Sequence, residues 1–302
     1  MSRRALSASR AIDVLRYLAA HPHQRFSYSE LSRALKINLS SIHSVLLVLL
    51  ESGMLSRDEV DRTYALGPTL VALGDAALRE NAVIDDLRSR MRELSGSLAR
   101  EIVVYSRSGS EALCISRTGP EQARDRTVHV GQRIPLVAPF FSLFFAWAPD
   151  DEIEKWLARS HLPAEERKRQ RGILAIVRQR GYSILLQDDA TLRVGAILAR
   201  LADQPDSDAL RNELRSAIKE VGQARSYQLS EEIKASQPVI SINVPVFDLE
   251  GQVEFVIIVN LFEENMSGQE IEALAERVLD ATRTIWPRAS PGTLGSSSDP
   301  AR

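Results

Sequence analysis

Residues 27–53 read SYSELSRALKINLSSIHSVLLVLLESG, and the order of residues in this stretch predicts two helices joined by a tight turn. Ser27-Tyr-Ser-Glu30 has capping-box spacing, in which a Ser hydroxyl and a Glu three residues later each satisfy an unpaired amide at a helix start. Leu31, Ala34 and Leu35 follow at helical spacing and predict a short helix ending near Lys36. Ile37-Asn38-Leu39 is the turn. A second helix is expected from Ser40, with Ile42, Val45, Leu46 and Leu49 as its buried stripe. Gly53 stands where a helix needs a left-handed residue to stop.

Upstream, residues 9–20 (SRAIDVLRYLAA) put Ala11, Ile12, Leu15, Leu18 and Ala19 on one face, with Ser7 or Ser9 as the cap. His21-Pro22 ends that helix, because proline disfavours a helical residue before it. Downstream, Met54–Arg57 and Thr63–Leu66 read as extended pieces around the polar turn 58–62. Three helices and a hairpin within residues 1–66 make the layout of a winged helix-turn-helix.

Gly67-Pro68 punctuates the chain, and residues 67–80 form a linker with helical spacing through Leu70, Leu73, Ala77 and Leu78. A helix is expected over Val83–Arg100. The pattern then changes to strands at Ile102–Ser106, Ala112–Arg117 and Thr127–Gly131. Val137–Trp147 is apolar nearly all round and reads as a buried helix. Amphipathic helices are expected at Asp150–Ala158, Ala164–Arg180, Leu192–Leu201 and Ser207–Ser226, with a strand at 181–186. Pro238–Phe247 and Gln252–Leu261, joined by Asp248-Leu-Glu-Gly251, form an antiparallel hairpin. Ser267–Ile285 closes the second domain, 81–287. Residues 288–302, rich in Pro, Gly and Ser, form a disordered tail. The fold class is α+β, with a helix-turn-helix ahead of an α/β domain.

Composition fits this division. The 302 residues are 44% hydrophobic and 26% charged, as in ordinary globular domains. Residues 1–66 carry nine basic against six acidic residues and the rest 29 against 34, so a mildly basic head precedes an acidic body. The single cysteine, Cys114, excludes an intrachain disulfide and suits a reducing compartment, with burial in a strand as its plain role. No secretory or membrane-spanning run is found, and a cytoplasmic location is expected. No Gly-rich phosphate loop, HExxH or G-x-S-x-G occurs, and the histidines are dispersed. No catalytic residues, metal or cofactor are therefore expected. Asp150-Asp151 and Asp188-Asp189 are adjacent carboxylates that point apart.

In order and spacing, Ser9-Arg-Ala-Ile12, Leu31-Ser-Arg-Ala-Leu35, Ser40-Ser-Ile-His43, Leu66-Gly-Pro68, Arg180-Gly-Tyr182 and Pro245-Val-Phe-Asp248 with Gly251 resemble the IclR-type transcriptional regulators. The resemblance runs over most of residues 7–286. It implies a winged helix-turn-helix, a linker helix that helps dimerisation, and a GAF/PAS-like effector domain with a central antiparallel sheet. It also implies a homodimer or dimer of dimers on a double-stranded DNA operator, modulated by a small-molecule effector. The sequence departs from the family in three places. About fifty residues, 189–233, separate Arg180-Gly-Tyr182 from the last hairpin, where the family uses far fewer. Near Pro135-Leu136 the family carries small residues and a Lys, but Val137, Phe140, Phe141 and Leu143 stand here. Leu39 and Ser44 replace the family's usual Lys and Arg.

A recognition helix lays its first turn and exposed face in the major groove. Here that face offers Ser40, Ser41, His43 and Ser44, with the plain alternatives that Ser40 only caps the helix and His43 is solvated. From Asn38 to Leu50 there is no Lys or Arg, so bidentate arginine-to-guanine contact is unavailable. Affinity then falls to phosphate contacts from Arg3, Arg4, Arg10, Arg25, Arg33, Lys36, Arg57 and the wing residue Arg62. In the second domain the effector candidates are Phe140, Phe141, Ser241, Asn243 and Asn260. Ser241 and Asn243 alternate along a strand and share a face. The plain alternative places the phenylalanines in the core and bonds Asn243 and Asn260 to backbone. The expected function is an effector-responsive DNA-binding regulator. The alternative is a ligand-sensing or protein-interaction module of the same fold with weak or lost DNA binding.

Overall fold

The computed structural model describes residues 5–21, 24–80, 82–120, 128–160, 162–203, 207–223 and 237–283. Arg3, Arg4, Pro22, His23, Thr127, His161, residues 224–233 and the tail 288–302 lie outside the described residues.

The first domain holds α1 (Leu6–Ala20), β1 (Phe26–Ser27), α2 (Tyr28–Leu35), α3 (Leu39–Glu51), β2 (Leu55–Arg57) and β3 (Thr63–Leu66). The capping box forms: Ser27 N–H donates to Glu30 Oε2 at 2.7 Å, and Glu30 N–H to Ser27 Oγ at 3.4 Å. These hydrogen bonds hold the Glu30 carboxyl below its usual pKa. Lys36 takes the left-handed conformation that ends α2, and Gly53 does so just past α3. Val14, Leu18, Leu31, Ile42, Val45, Leu46, Leu49, Leu55 and Tyr64 form one core.

Three expectations are corrected here. Neither Ser7 nor Ser9 caps α1, which starts at Leu6 after Ala5 without a side-chain cap. Ile12 is 47% exposed, since α1 buries the narrower stripe of Ala11, Val14, Leu15 and Leu18 against α2 and α3. Ser40 does not cap α3: Asn38 does, its Oδ1 accepting from Ser41 N–H at 2.9 Å, so the helix begins one residue early at Leu39. The two-residue β1, which pairs with β3 and makes the wing sheet three-stranded in the order β1-β3-β2, is too short to leave a periodic signal.

Gly67 joins the wing to α4 (Thr69–Glu80). A Cβ there would lie 2.2 Å from the Gly53 carbonyl oxygen and under 3 Å from Leu55 backbone atoms. The close approach lets Gly67 N–H donate to Met54 O at 2.7 Å. Gly67→Ala is expected to destabilise the first domain by about 2 kcal/mol, because backbone cannot rotate away from the added methyl. A urea titration of the variant showing a loss under about 0.5 kcal/mol would contradict this.

The second domain is built on a six-stranded antiparallel sheet in the order β6-β5-β4-β9-β8-β7. Its strands are β4 (Glu101–Ser108), β5 (Glu111–Thr118), β6 (Arg133–Pro135), β7 (Ser183–Leu186), β8 (Gln237–Phe247) and β9 (Val253–Met266). Strand alternation divides the side chains between two faces. Ile102, Val104, Ile242, Val244, Ile257 and Val259 pack under α5 (Ala82–Leu98) and α11 (Gly268–Arg283). Val103, Tyr105, Cys114 and Val256 face the other layer, made by the segment 134–146, α7 (Asp150–Arg159) and α8 (Ala164–Arg180). There Phe145 stacks on Trp156, with centroids 4.7 Å apart.

The extra segment supplies α9 (Asp189–Asp203) and α10 (Asp208–Gln223). They pack on each other through Val194, Ile197, Leu201, Leu210, Leu214 and Ile218. Asp188 caps α9, its Oδ1 accepting from Thr191 N–H at 2.7 Å, so α9 starts before the expected Leu192. Two further expectations fail around the sheet. His129–Gly131 is no strand: Gly131, at φ 89°, turns the chain back to Cys114, and pairing resumes only at Arg133. Val137–Trp147 is no continuous helix. Only Leu143–Ala146 (α6) is helical, because Pro139 has no N–H to give and Phe141 takes φ 57°.

Candidate functional site

Two separate places gather the expected residues. The first is the outer face of α3. Ser40, His43 and Ser44 are exposed and Ser41 is half-buried. Ser40 Oγ donates to Asn38 Oδ1, and Ser44 Oγ donates back to Ser40 O, so both hydroxyl oxygens keep acceptor capacity toward solvent. Ser41 Oγ accepts from Arg10 at 3.0 Å, which ties α1 to the start of α3 and partly occupies both residues. The same face carries apolar side chains: Leu39, Leu47 and Val48 are each about half exposed or more. Arg57 and Arg62 stand on the wing, both exposed. Arg62 sits at φ 52°, beside a turn fixed by Asp58 Oδ1 accepting from Val60 and Asp61 N–H. Arg25 bonds to the Thr63 hydroxyl and carbonyl and braces the wing. Arg33 and Lys36 are exposed on α2 and at its end.

The second place is a cavity on the α9 side of the six-stranded sheet. It comprises a hollow of about 150 Å³ and a smaller one of about 50 Å³ that share Phe140, Phe141, Leu185, Ser241 and Ile258 as walls. Asn260 lines the larger and Asn243 the smaller. The register explains the convergence. Leu185, Ser241, Asn260 and Glu101 stand in one cross-strand row, and Ser183, Asn243 and Ile258 in the next. The asparagines bond to side chains and not, as the plain alternative had it, to backbone. Asn243 Nδ2 donates to Ser183 Oγ at 3.2 Å, and Asn260 Nδ2 to Glu101 Oε2 at 2.6 Å. Phe141, Phe144 and Phe145 are core residues, as the plain alternative had it, and Phe141 with the partly buried Phe140 also borders the cavity.

The sequence reading missed the other wall. Thr191, Val194, Gly195 and Leu198 of α9 close the larger hollow. Their helical spacing marks an apolar face without saying what it covers. It also missed the buried network of Glu101, Asn260 and Arg117, whose Nε donates to Glu101 Oε1 at 2.5 Å. Another hollow, about 260 Å³, lies between α1 and the second domain, lined among others by Arg16, Arg133, Arg211 and Arg215. Its lining mixes Ala19, Ala20, Val130, Pro135, Leu201 and Leu214 with these cations, of which Arg133 is bonded to Ser108 and Glu111 and Arg215 to Asn212.

Cys114 is buried in β5, and burial pushes its thiol up to about 12. The folded state thus holds the thiol proton, and stability falls as pH rises from the unfolded thiol value toward about 12. A thiol reagent at pH 8 is expected to label Cys114 only after denaturant is added. Prompt labelling of the native chain would contradict the burial.

Among the described residues there is no cluster of three or more His, Cys, Asp or Glu able to hold a metal ion, and no single helix is long and apolar enough to cross a membrane.

Residues 7–59 match the family model for the IclR helix-turn-helix domain. No curated protein matches the chain in sequence. Solved structures match over nearly its whole length. An IclR transcriptional regulator from Alicyclobacillus acidocaldarius aligns at TM-score 0.66 and 19% identity, covering 94% of this chain and 98% of that one. Pseudomonas aeruginosa HmgR aligns at 0.61 and 21%, covering 92% and 97%. An IclR homolog from Microbacterium hydrocarbonoxydans, complexed with 4-hydroxybenzoate, aligns at 0.59 and 17%, covering 93% and 98%. The first domain is thus an IclR-type helix-turn-helix, and the chain has the fold of transcriptional regulators of that type.

Proposed function

We propose that the chain is a DNA-binding transcriptional regulator whose operator binding responds to a small molecule held in the cavity of the second domain. One observation carries the DNA half. The outer face of α3 in an IclR-type helix-turn-helix leaves Ser40, His43 and Ser44 exposed, and the wing that follows carries exposed Arg57 and Arg62. Hydroxyls and imidazole read base edges, and exposed Leu39 suits a thymine methyl. The exposed cations Arg57, Arg62, Arg33 and Lys36 supply phosphate contacts, joined by Arg3 and Arg4 from the terminus. The cavity beside Phe140, Phe141, Ser241, Asn243 and Asn260 supports the effector half, as does the ligand in the Microbacterium homologue.

A second reading keeps the fold but gives up DNA in favour of ligand sensing or protein contacts. The absence of Lys and Arg from Asn38 to Leu50 favours it. Gel shifts on DNA upstream of the chain's own gene, across a salt series, separate the two. The regulator gives specific binding whose affinity falls steeply with salt. No specific binding at low salt leaves the second reading.

The linker helix α4 buries none of its side chains in the isolated chain and exposes Val71 and Leu73. Two such helices packed together would cover that surface, and we read the working form as a cytoplasmic homodimer, alone or paired into a tetramer. Two half-sites would raise the avidity of an uncharged recognition helix through effective concentration. Light scattering that shows a monomer at micromolar concentration would refute the dimer. Nothing in this role calls for catalysis.

A further inference from the structure

The cavity narrows the chemistry of its occupant, a step that rests on the function just proposed. Its volume comes first. A hollow of about 150 Å³, beside one of about 50 Å³ that shares five of its lining residues, lies below the range of drug-sized pockets, about 300–1,000 Å³. An apolar cavity of about 150 Å³ takes one benzene ring. The walls suit a ring: Phe141 meets Tyr105 edge-on at 4.9 Å, and Phe140, Leu198 and Ile258 complete the apolar surround.

Charge comes next. Among the described residues neither chamber is lined by any Lys, Arg, His, Asp or Glu. The ionised group hydrogen-bonded to the wall is a carboxylate, Glu101, only 1% exposed and holding Asn260 Nδ2. Arg117 bonds the other oxygen of Glu101 and does not line the cavity. A ligand carboxylate would lose its hydration, find no counter-ion among the described residues, and lie across Asn260 from a like charge.

The polar anchor is Asn243. It is nine-tenths buried, its Nδ2 is given to Ser183, and its Oδ1 has no partner among the described residues. It lines the small chamber, where one hydroxyl on a ring would reach it. We infer that the second domain takes an uncharged single-ring compound bearing one hydroxyl, of the phenol type, with its ring against the Tyr105–Phe141 pair, Phe140 and Leu198 and its hydroxyl on Asn243.

Calorimetric titration of the full-length chain without DNA tests this with phenol, toluene and benzoate at pH 7.5. Phenol is expected to bind saturably. Toluene should bind about tenfold more weakly, for the hydrogen bond it cannot make. Benzoate should be weaker than phenol by about a hundredfold or more. A Cβ at Gly195, on the cavity wall, meets nothing within 4 Å, so Gly195→Leu should fill the space and abolish phenol binding while removing a helix-interior glycine. Asn243→Leu should bring phenol and toluene to equal affinity. Benzoate binding as tightly as phenol, no phenol binding, or phenol binding that survives Gly195→Leu would each overturn the inference. If Asn243→Leu does not fold, the ranking on the unmodified chain and Gly195→Leu still decide. The gel shifts are read separately, so a chain that binds phenol but no DNA refutes the regulator and not the ligand class.

Discussion

Replacing His43 and Ser44 together by glutamate is expected to lower specific DNA affinity by about a hundredfold or more, with the fold intact. Both side chains are exposed, and the one bond recorded for them is the return of Ser44 Oγ to Ser40 O. Exposed substitutions of this kind stay within about 0.5 kcal/mol of neutral in stability. At the duplex the effect is large. Each lost base contact costs about 1–3 kcal/mol, two carboxylates are pressed toward phosphates, and every 1.4 kcal/mol is about tenfold. Gel shifts at fixed salt, with thermal unfolding as the control for folding, read both effects. An affinity within about threefold of the unmodified chain would sink the assignment of α3 as the reading helix. Arg57→Ala and Arg62→Ala provide the contrast. Each should weaken all sequences alike and lower the salt slope by about one, the behaviour of a phosphate contact.

Arg117→Met is expected to destabilise the second domain by about 3 kcal/mol. Glu101 is 1% exposed and its two oxygens are bonded separately, Oε1 to Arg117 and Oε2 to Asn260. Removing the guanidinium leaves a buried carboxylate with one neutral donor, and breaking one side of a buried pair costs about 3–5 kcal/mol. Arg117 keeps about a quarter of its side chain in solvent, which places the effect at the low end. The double variant Glu101→Gln/Arg117→Met should recover most of the loss, since the uncompensated charge is gone. Urea unfolding of the three chains measures this. A single-variant loss under about 1 kcal/mol would mean that Glu101 is solvated. The charge argument for the cavity ligand would weaken with it.

Much of the fold is legible in the residues because its signals are local. Ser27 and Glu30 write the start of α2, and Gly53 writes the stop after α3. The apolar stripes of α3, α5 and α8 repeat at the helical period, and Asp248–Gly251 announces the last hairpin. Where the reading went wrong, a distant part of the chain had prevailed. Ile12 is apolar, but it lies off the stripe that α1 packs on α2 and α3 and stays half exposed. Val137–Trp147 is apolar all round, but Pro139 and the left-handed Phe141 break the helix. His129–Gly131 turns because Gly131 must reach the backbone of Cys114.

The sites divide in the same way. Sequence alone determined that Ser40, Ser41, His43 and Ser44 share one side of a helix, and that Ser241 and Asn243 share one side of a strand. Periodicity is a property of the backbone and needs no tertiary contact. Only the tertiary structure decided that Arg10 takes up Ser41, that Asn260 is held by Glu101, and that α9 from the extra segment walls the cavity. The first two join residues 31 and 159 positions apart, and the third sets α9 against Ser241 and Asn260, more than forty positions on. Helix packing sets the first and third and strand register the second, and no local pattern of side chains encodes either.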